Sequence, residues 1–343
     1  MIPIKIDKEI TLNGNEFETC NFKELKINEN SIEEFLRKNI EVIFEDEETL
    51  LIVGQQVNNV EKGRSDLVAL DQDGNIVLIE IKRDVKDITT RKEPFEFQAI
   101  RYAASFAKIK NVSELVTKFY ASYISNYKNE YKFKELTEIE FGIRNVENFL
   151  KSNNSYNTFN QKQRIILIAS DFDPQTLSAA AWLISNQVDI SCFQIKPVKF
   201  NNDLFIDLKK ILPPTIIDDF YVDIQEKNVT TKNYDTVIKS IKKTYKPRMP
   251  QIFEWKLLKN GDKLKIKNFE NSEATAIDAE TVDYNGKKMK YNSWGKTVTG
   301  WSSICIYEWA IKISENKTLE DLRMKKYLEI KENKIAPTSD NTL

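Results

Sequence analysis

The spacing of apolar and polar positions changes several times along the N-terminal half, and each change predicts an element. Ser31 to Asn39 reads as a short helix, with Ser31 as N-cap and Glu34 three residues on completing a capping box. Thr49 to Val57 and Ser65 to Asp71 read as strands. Asp73-Gly74 is a hairpin-turn signal, and Asn75 to Lys82 is the strand that follows it. Phe95 to Lys108, with Ala99, Ala103, Ala104 and Ala107, predicts a helix. Arg164 to Ser170 is almost wholly apolar, as buried parallel strands are. Asp173-Pro174 supplies an N-cap and a proline at the first helical position, opening a helix to about Ser185. Asp189 to Ile195 predicts one more strand. A three-stranded meander joined to helix-connected strands implies an α/β fold, a mixed sheet with helices on its faces.

Between these elements, residues 111–160 are rich in Lys, Asn and Tyr and read as an inserted helical or irregular excursion. Leu212-Pro213-Pro214 punctuates the end of a first domain, 1–213. Residues 214–248 form a polar, basic connector that ends at Lys246-Pro-Arg-Met-Pro250. Residues 249–330 then read as a smaller α+β unit. In it, Lys263 to Lys267 alternates like an edge strand, Asn285-Gly286 is a hairpin turn, and Ile304 to Ile313 is a helix candidate. The tail 331–343 is expected to be disordered.

Composition changes this picture mainly by one absence: among 343 residues there is no histidine. Ser-His-Asp and Cys-His nucleophile pairs are thereby excluded, as are zinc sites that need imidazole. Cys20, Cys192 and Cys305 lie far apart, which excludes a zinc ribbon and fits a reducing, cytoplasmic setting. No run of about 18 apolar residues is present, so no membrane span is expected. The net charge of -1 hides an asymmetry. Residues 1–60 carry 6 Lys/Arg against 13 Asp/Glu, and residues 239–300 carry 14 against 7. An anion, if bound, is therefore expected to be held partly by the C-terminal half.

Candidate chemistry centres on Gly63-Arg-Ser-Asp66 and Ile79-Glu80-Ile-Lys82. Strand alternation puts Glu80 and Lys82 on one face, and Asp66 lies on the neighbouring strand of the hairpin. Two carboxylates and an ammonium are expected to converge at one end of a sheet. Within strands so rich in Val, Ile and Leu, such groups are costly unless paired or bound to metal.

Thirteen residues separate Asp66 from Glu80-x-Lys82, a spacing that resembles the PD-(D/E)xK nuclease superfamily. Gln98-Ala-Ile-Arg-Tyr102 is similar to the Gln-x-x-x-Tyr signature of its RecB-like branch, and Gly63 to Asp66 resembles NucS-like endonucleases. The resemblance spans residues 25–213 and implies a restriction-endonuclease-like fold. It further implies that Asp66, Glu80 and the Ile81 carbonyl hold Mg²⁺ or Mn²⁺, hard cations that take oxygen ligands. Lys82 would orient the attacking water and stabilise charge on the phosphate. Glu34 matches the position of a further acidic ligand, with Glu33 adjacent as the alternative. Gln98 would position water or a ligand carboxylate. Tyr102 and Arg101 are candidate phosphate contacts, Arg64 could reach DNA, and Gln55 or Gln56 could line the cleft. Asp171 and Asp173 read as turn and N-cap residues.

Tyr291 to Trp301, followed by Tyr307-Glu-Trp309, resembles RAMA-type modules appended to restriction enzymes and DNA methylases. Aromatics among lysines suit nucleic acid, where bases stack and phosphates pair. Tyr291, Trp294, Trp301, Lys288, Lys290 and Lys296 are the candidates, with Lys242, Lys243, Lys246 and Arg248 preceding them. The alternative is that the tryptophans form the core of the unit. Together these features imply a Mg²⁺-dependent DNA endonuclease acting on double-stranded DNA in restriction or antiphage defence. A repair nuclease and a silent DNA-binding protein on the same fold are the rivals. A homodimer and a protein partner in a defence complex are further expectations.

Overall fold

The structure is a computed structural model that describes residues 4–6, 10–12, 17–58, 63–83, 94–131, 133, 135–201, 203–214 and 246–335. Its fifteen described strands are numbered in chain order, beginning with the paired β1 (Ile4–Ile6) and β2 (Ile10–Leu12). The central sheet has seven strands: β3 (Glu18–Thr19), β4 (Leu50–Asn58), β5 (Arg64–Asp71), β6 (Ile76–Lys82), β7 (Gln163–Ala169), β8 (Asp189–Phe200) and β9 (Asp203–Leu212). β4, β5 and β6 form the expected antiparallel meander, whereas β6, β7 and β8 run parallel. The β5–β6 turn uses Gly74 at φ 83, and a Cβ there would come within 2.9 Å of the Ser155 carbonyl. Positive φ and close approach both require glycine at this position.

β8 pairs with β7 over its first half and with β3 near its end, and β9 lies antiparallel along its opposite side. The two edges of the sheet are therefore β4 and β9. Sequence reading missed β9, whose N-terminal half is exposed on both faces and shows no alternation.

Helices α1 (Glu29–Lys38) and α2 (Glu41–Phe44) precede the meander, and α3 (Phe95–Phe106) follows it. The capping assignment at α1 is corrected: Asn28 is the N-cap, and its side chain accepts from the Ser31 backbone N–H at 2.8 Å. Residues 111–160 are helical, one of the two forms expected of them. They form α4 (Val112–Leu115), a π turn (Val116–Tyr120), α5 (Ala121–Asn126) and α6 (Glu138–Ser152). Leu115, Val116, Tyr120, Ile124, Val146 and Phe149 are fully buried, so this segment belongs to the main core rather than inserting into it. Its tyrosines entered the core because their hydroxyls find partners, Asn145 for Tyr120 at 2.6 Å and Arg37 for Tyr123 at 3.1 Å. α7 (Pro174–Ser185) opens as expected, with the Asp173 carboxylate accepting from Gln175 and Thr176 N–H. It packs with α3 on one sheet face, around Ile165, Leu167, Ala169 and Cys192.

In the C-terminal part, α8 (Met249–Glu254) leads into a second, antiparallel sheet. Its strands are β10 (Lys263–Ile266), β11 (Ala274–Ala276), β12 (Thr281–Tyr284), β13 (Lys287–Lys290), β14 (Ala310–Lys312) and β15 (Lys317–Thr318), in the order β13-β12-β11-β10-β14-β15. β10 is thus interior, not an edge; its alternation reports one exposed face only. Asn285-Gly286 makes the expected hairpin turn, at φ 53 and 76. The run from Ile304 divides into α10 (Ile306–Trp309), which follows α9 (Tyr291–Thr299), and then β14. The last helix, α11 (Leu319–Ile335), continues into the stretch expected to be disordered. A Thr318/Asp321 cap opens it, a signal present in the sequence.

The two parts share one apolar core. The Ser302-Ser303 segment bridges the edge of β4 at Leu50, and the Ser302 hydroxyl accepts from Ile52 N–H at 2.9 Å. Trp301 packs edge-on against Phe149 of α6 at 5.2 Å and against Trp309 at 4.8 Å. Such aromatic pairs contribute about 0.5–1.5 kcal/mol each beyond their burial. Among the described residues no helix is long and apolar enough to cross a membrane.

Candidate active site at the end of the central hairpin

β5 and β6 are paired up to Leu67 and Ile79. Beyond that point a side chain takes over from the backbone: Asp66 Oδ2 accepts the Ile81 N–H at 2.7 Å. β6 continues its parallel pairing with β7 to Lys82 and Ala169. Leu167 and Ala169, the partners of Glu80 and Lys82, belong to the cluster that includes Phe95 of α3. The Lys82 ammonium lies 5.3 Å from the centre of the Phe95 ring. It donates to the Ile81 carbonyl at 2.6 Å and stands 3.5 Å from Asp66 Oδ2 and 3.6 Å from Glu29 Oε1. Asp66, Glu80 and Lys82 are 4%, 0% and 1% exposed; Asp66 and Lys82 stand together, and alternation sets Glu80 on the same strand face as Lys82.

The acidic contribution of α1 comes from a different residue than Glu34. Ile32 and Leu36 define the buried stripe of this helix, and a 3.6-residue period puts Glu29 and Glu33 on the same stripe. Glu33 is 1% exposed, and its Oε2 accepts from Gln56 Nε2 at 3.2 Å. Its Oε1 is sealed from solvent and accepts no hydrogen bond among the described residues. Burial pushes the Glu33 carboxyl up from its ordinary value, against the Gln56 hydrogen bond and with help from the Asp66 charge. Glu34 lies off the stripe, where Arg37 at 2.8 Å and Lys38 at 3.0 Å hold it down at about 2. Of the two adjacent glutamates, Glu33 is therefore the one that joins Asp66, and Glu29 is an addition that sequence reading missed. Both were readable from the Ile32/Leu36 stripe.

Gln56, at φ 50, extends its amide toward Glu33, while its Oε1 lies 3.4 Å from the Arg64 guanidinium. Gln55 also helps hold the Glu33 carboxyl down, and its Oε1 accepts from the Tyr127 hydroxyl. Tyr102 is buried, and its hydroxyl accepts from the Arg64 backbone N–H at 2.8 Å and from Gln98 Nε2 at 3.2 Å. The Gln98/Tyr102 pair thus fastens the start of β5, and in this arrangement Tyr102 is a positioning residue rather than a phosphate contact. Arg64 and Arg101 are exposed. Asp171 and Asp173 serve as turn and cap residues.

Most of the candidate DNA contacts in the C-terminal part are engaged otherwise. Tyr291, Trp294 and Trp301 are 4%, 0% and 4% exposed, and Trp294 Nε1 donates to the Ser272 carbonyl at 3.0 Å. They form the core of the unit, which corrects their assignment as base-stacking residues. Lys296 binds Glu41 at 2.9 Å, Lys246 binds Glu320 at 2.9 Å, and Arg248 pairs with Glu45. Lys288 pairs with Asp278 at 3.2 Å in an exposed bridge, and Lys290 is exposed beside it. Lys242 and Lys243 lie outside the described residues.

The donors at the hairpin end are oxygens alone, the set a hard cation takes. Asp66, Glu80, the Ile81 carbonyl and Glu33 are the oxygen-bearing groups at this end of the sheet. Among the described residues no three Asp, Glu or Cys side chains are gathered as a metal cage, and the Lys82 ammonium holds the Ile81 carbonyl. Comparison with protein-family models, with curated proteins and with solved structures found no match.

Proposed function

We propose that this chain is a Mg²⁺- or Mn²⁺-dependent DNA endonuclease on a restriction-endonuclease-like fold, with Asp66, Glu80 and Lys82 at its active site. One observation carries the reading: Glu33, Asp66, Glu80 and Lys82 are each no more than 4% exposed, and Lys82 stands 3.5 Å from Asp66 at the end of a buried hairpin, on the strand face that alternation gives to Glu80 as well. Burying ionised groups costs several kcal/mol each unless partners offset it. A divalent cation would add positive charge beside these carboxylates and, when bound, would polarise the scissile phosphate. Asp66, Glu80, the Ile81 carbonyl and Glu33 would hold it.

The remaining steps belong to the chain. Lys82, released from the Ile81 carbonyl, places its ammonium beside the phosphate, where negative charge grows as water oxygen adds to phosphorus and the opposite P–O bond breaks. Gln56 holds Glu33, and the Gln98/Tyr102 pair fixes the backbone at Arg64. Arg64 and Arg101, both exposed, would meet the DNA backbone. A restriction or defence role rests on the resemblance of the sequence motifs.

A second reading, a silent DNA-binding protein, is favoured by the Lys82–Ile81 hydrogen bond, which closes the site. Plasmid cleavage with Mg²⁺, Mn²⁺ or EDTA distinguishes the two, with Asp66→Ala and Lys82→Ala beside Glu34→Ala. Metal-dependent nicking lost in the first two variants and kept in the third supports the nuclease. DNA binding without nicking by the wild type selects the silent protein.

A further inference from the structure

The two edges of the central sheet are treated differently. β4 is bridged by Ser302-Ser303. β9 pairs only with β8 among the described residues. A free edge offers a row of backbone donors and acceptors to any extended strand, and proteins usually guard such edges with charge or cover. Here Leu204, Phe205 and Ile206 are 56%, 46% and 45% exposed in succession. Because neighbours in a strand point to opposite faces, the tip of β9 presents apolar surface on both sides of the sheet.

The charges of β9 are ordered. Asp203 and Asp207 are exposed, and so is Lys209 further along. A strand with acid toward its start and base toward its end is complementary to a reversed copy of itself. With a two-fold axis at Ile206, that residue meets its own copy, Leu204 lies across from Leu208, and Asp203 lies across from Lys209. Symmetry makes each of the last two contacts occur twice. Moving the axis by one residue, to Asp207, sets that carboxylate against itself, and like charges directly opposite are destabilising. The pattern therefore disfavours that register; an axis at Leu208, which sets Asp207 across from Lys209, is the alternative that the Asp203→Lys exchange below separates from the axis at Ile206.

We infer that the chain forms a homodimer by antiparallel pairing of β9 with β9 of a second copy, extending the central sheet across the two-fold axis. This stands apart from the nuclease reading, and neither depends on the other.

Sedimentation of the full-length chain over a wide concentration range tests it. A monomer–dimer equilibrium is expected. Lys209→Asp, which sets two pairs of carboxylates against each other, weakens dimerisation by roughly tenfold or more. Adding Asp203→Lys to Lys209→Asp restores the wild-type constant, because the pairs are re-formed with their signs exchanged. Both positions are exposed, so the fold survives the changes, which circular dichroism verifies. A monomer at every concentration overturns the inference, whether residues 215–245 or another protein then covers the edge. A dimer indifferent to Lys209→Asp, or one that the double exchange fails to restore, overturns it equally.

Discussion

Lys82 and Arg323 are the two least exposed cations among the described residues, at 1% and 0%, and they are held in opposite ways. Arg323 donates to both oxygens of Glu47 at 2.8 Å, to Glu320 and to the Pro247 carbonyl, and its guanidinium stacks 3.6 Å over the Tyr307 ring. Every direction around it is occupied, and its bidentate geometry fits its carboxylate partner. Lys82 has one short hydrogen bond, to a backbone carbonyl, and its carboxylate neighbours stand at 3.5 and 3.6 Å. One cluster is a finished joint between the two parts of the chain. The other is looser: among the described residues the Lys82 ammonium stands between one backbone carbonyl and two carboxylates. Burial is common to both clusters; the completeness of the hydrogen bonding differs.

The largest test of this contrast is stability. Arg323→Ala leaves Glu47 without its buried partner and is expected to cost about 3–5 kcal/mol in urea unfolding. Lys82→Met, similar in length, is expected to cost clearly less, because Asp66 keeps the Ile81 N–H and Glu33 can take up a proton. Equal losses would make both clusters structural. Next comes rate. Removing a cation that stabilises charge in the transition state lowers turnover by about 10²–10³-fold, so Lys82→Met should lose metal-dependent nicking by that factor.

Smaller effects separate adjacent residues. Glu34 is held at about 2 from an ordinary 4.5, so its stabilising contribution is present above pH 4.5 and is lost as pH falls toward 2. Glu33 is shifted upward, so the sign reverses: its favourable contribution is complete below pH 4.5 and disappears as pH rises through its folded value. Urea midpoints against pH should therefore show Glu33→Gln gaining on the wild type as pH rises, and Glu34→Gln gaining as pH falls. The same slope for both would erase the distinction between the site face and the outer face of α1. The smallest effect concerns the exposed Lys290. Lys290→Ala is expected to change stability by no more than about 0.5 kcal/mol. If DNA crosses this hairpin, the change reduces the dependence of log K on log salt concentration by about one, measured by anisotropy.

The framework of this contrast was largely legible before the structure. The Asp73-Gly74 turn, the alternation around Glu80 and the Asp173-Pro174 cap each have a local cause, and each element formed where that cause placed it. What was hidden depends on partners distant in sequence. The Lys, Asn and Tyr content of 111–160 conceals a buried stripe, because the tyrosine hydroxyls are satisfied partly from another helix, by Arg37 on α1. Trp294 and Trp301 stand among lysines in the chain, but both indoles are buried, whereas Lys287, Lys288 and Lys290 are exposed and Lys296 pairs with Glu41. Between Glu34 and the adjacent Glu33, the resemblance alone did not decide; the Ile32/Leu36 stripe does. Arg323 has a local partner in Glu320, three residues before it, but its bidentate carboxylate, Glu47, lies in the other half of the chain.

The bridge between Leu50 and Ser303 has a practical consequence. Cutting the chain after Pro214 looks natural from the prolines, yet it strips the cover from β4 and exposes the backbone of Leu50 and Ile52. It also uncovers Phe149 and leaves Glu47 without Arg323. The excised N-terminal piece would carry an adhesive strand at each end of its sheet, the condition for open-ended polymerisation into fibres or precipitate. The C-terminal part thus acts as an internal solubility factor for the sheet that bears the candidate site.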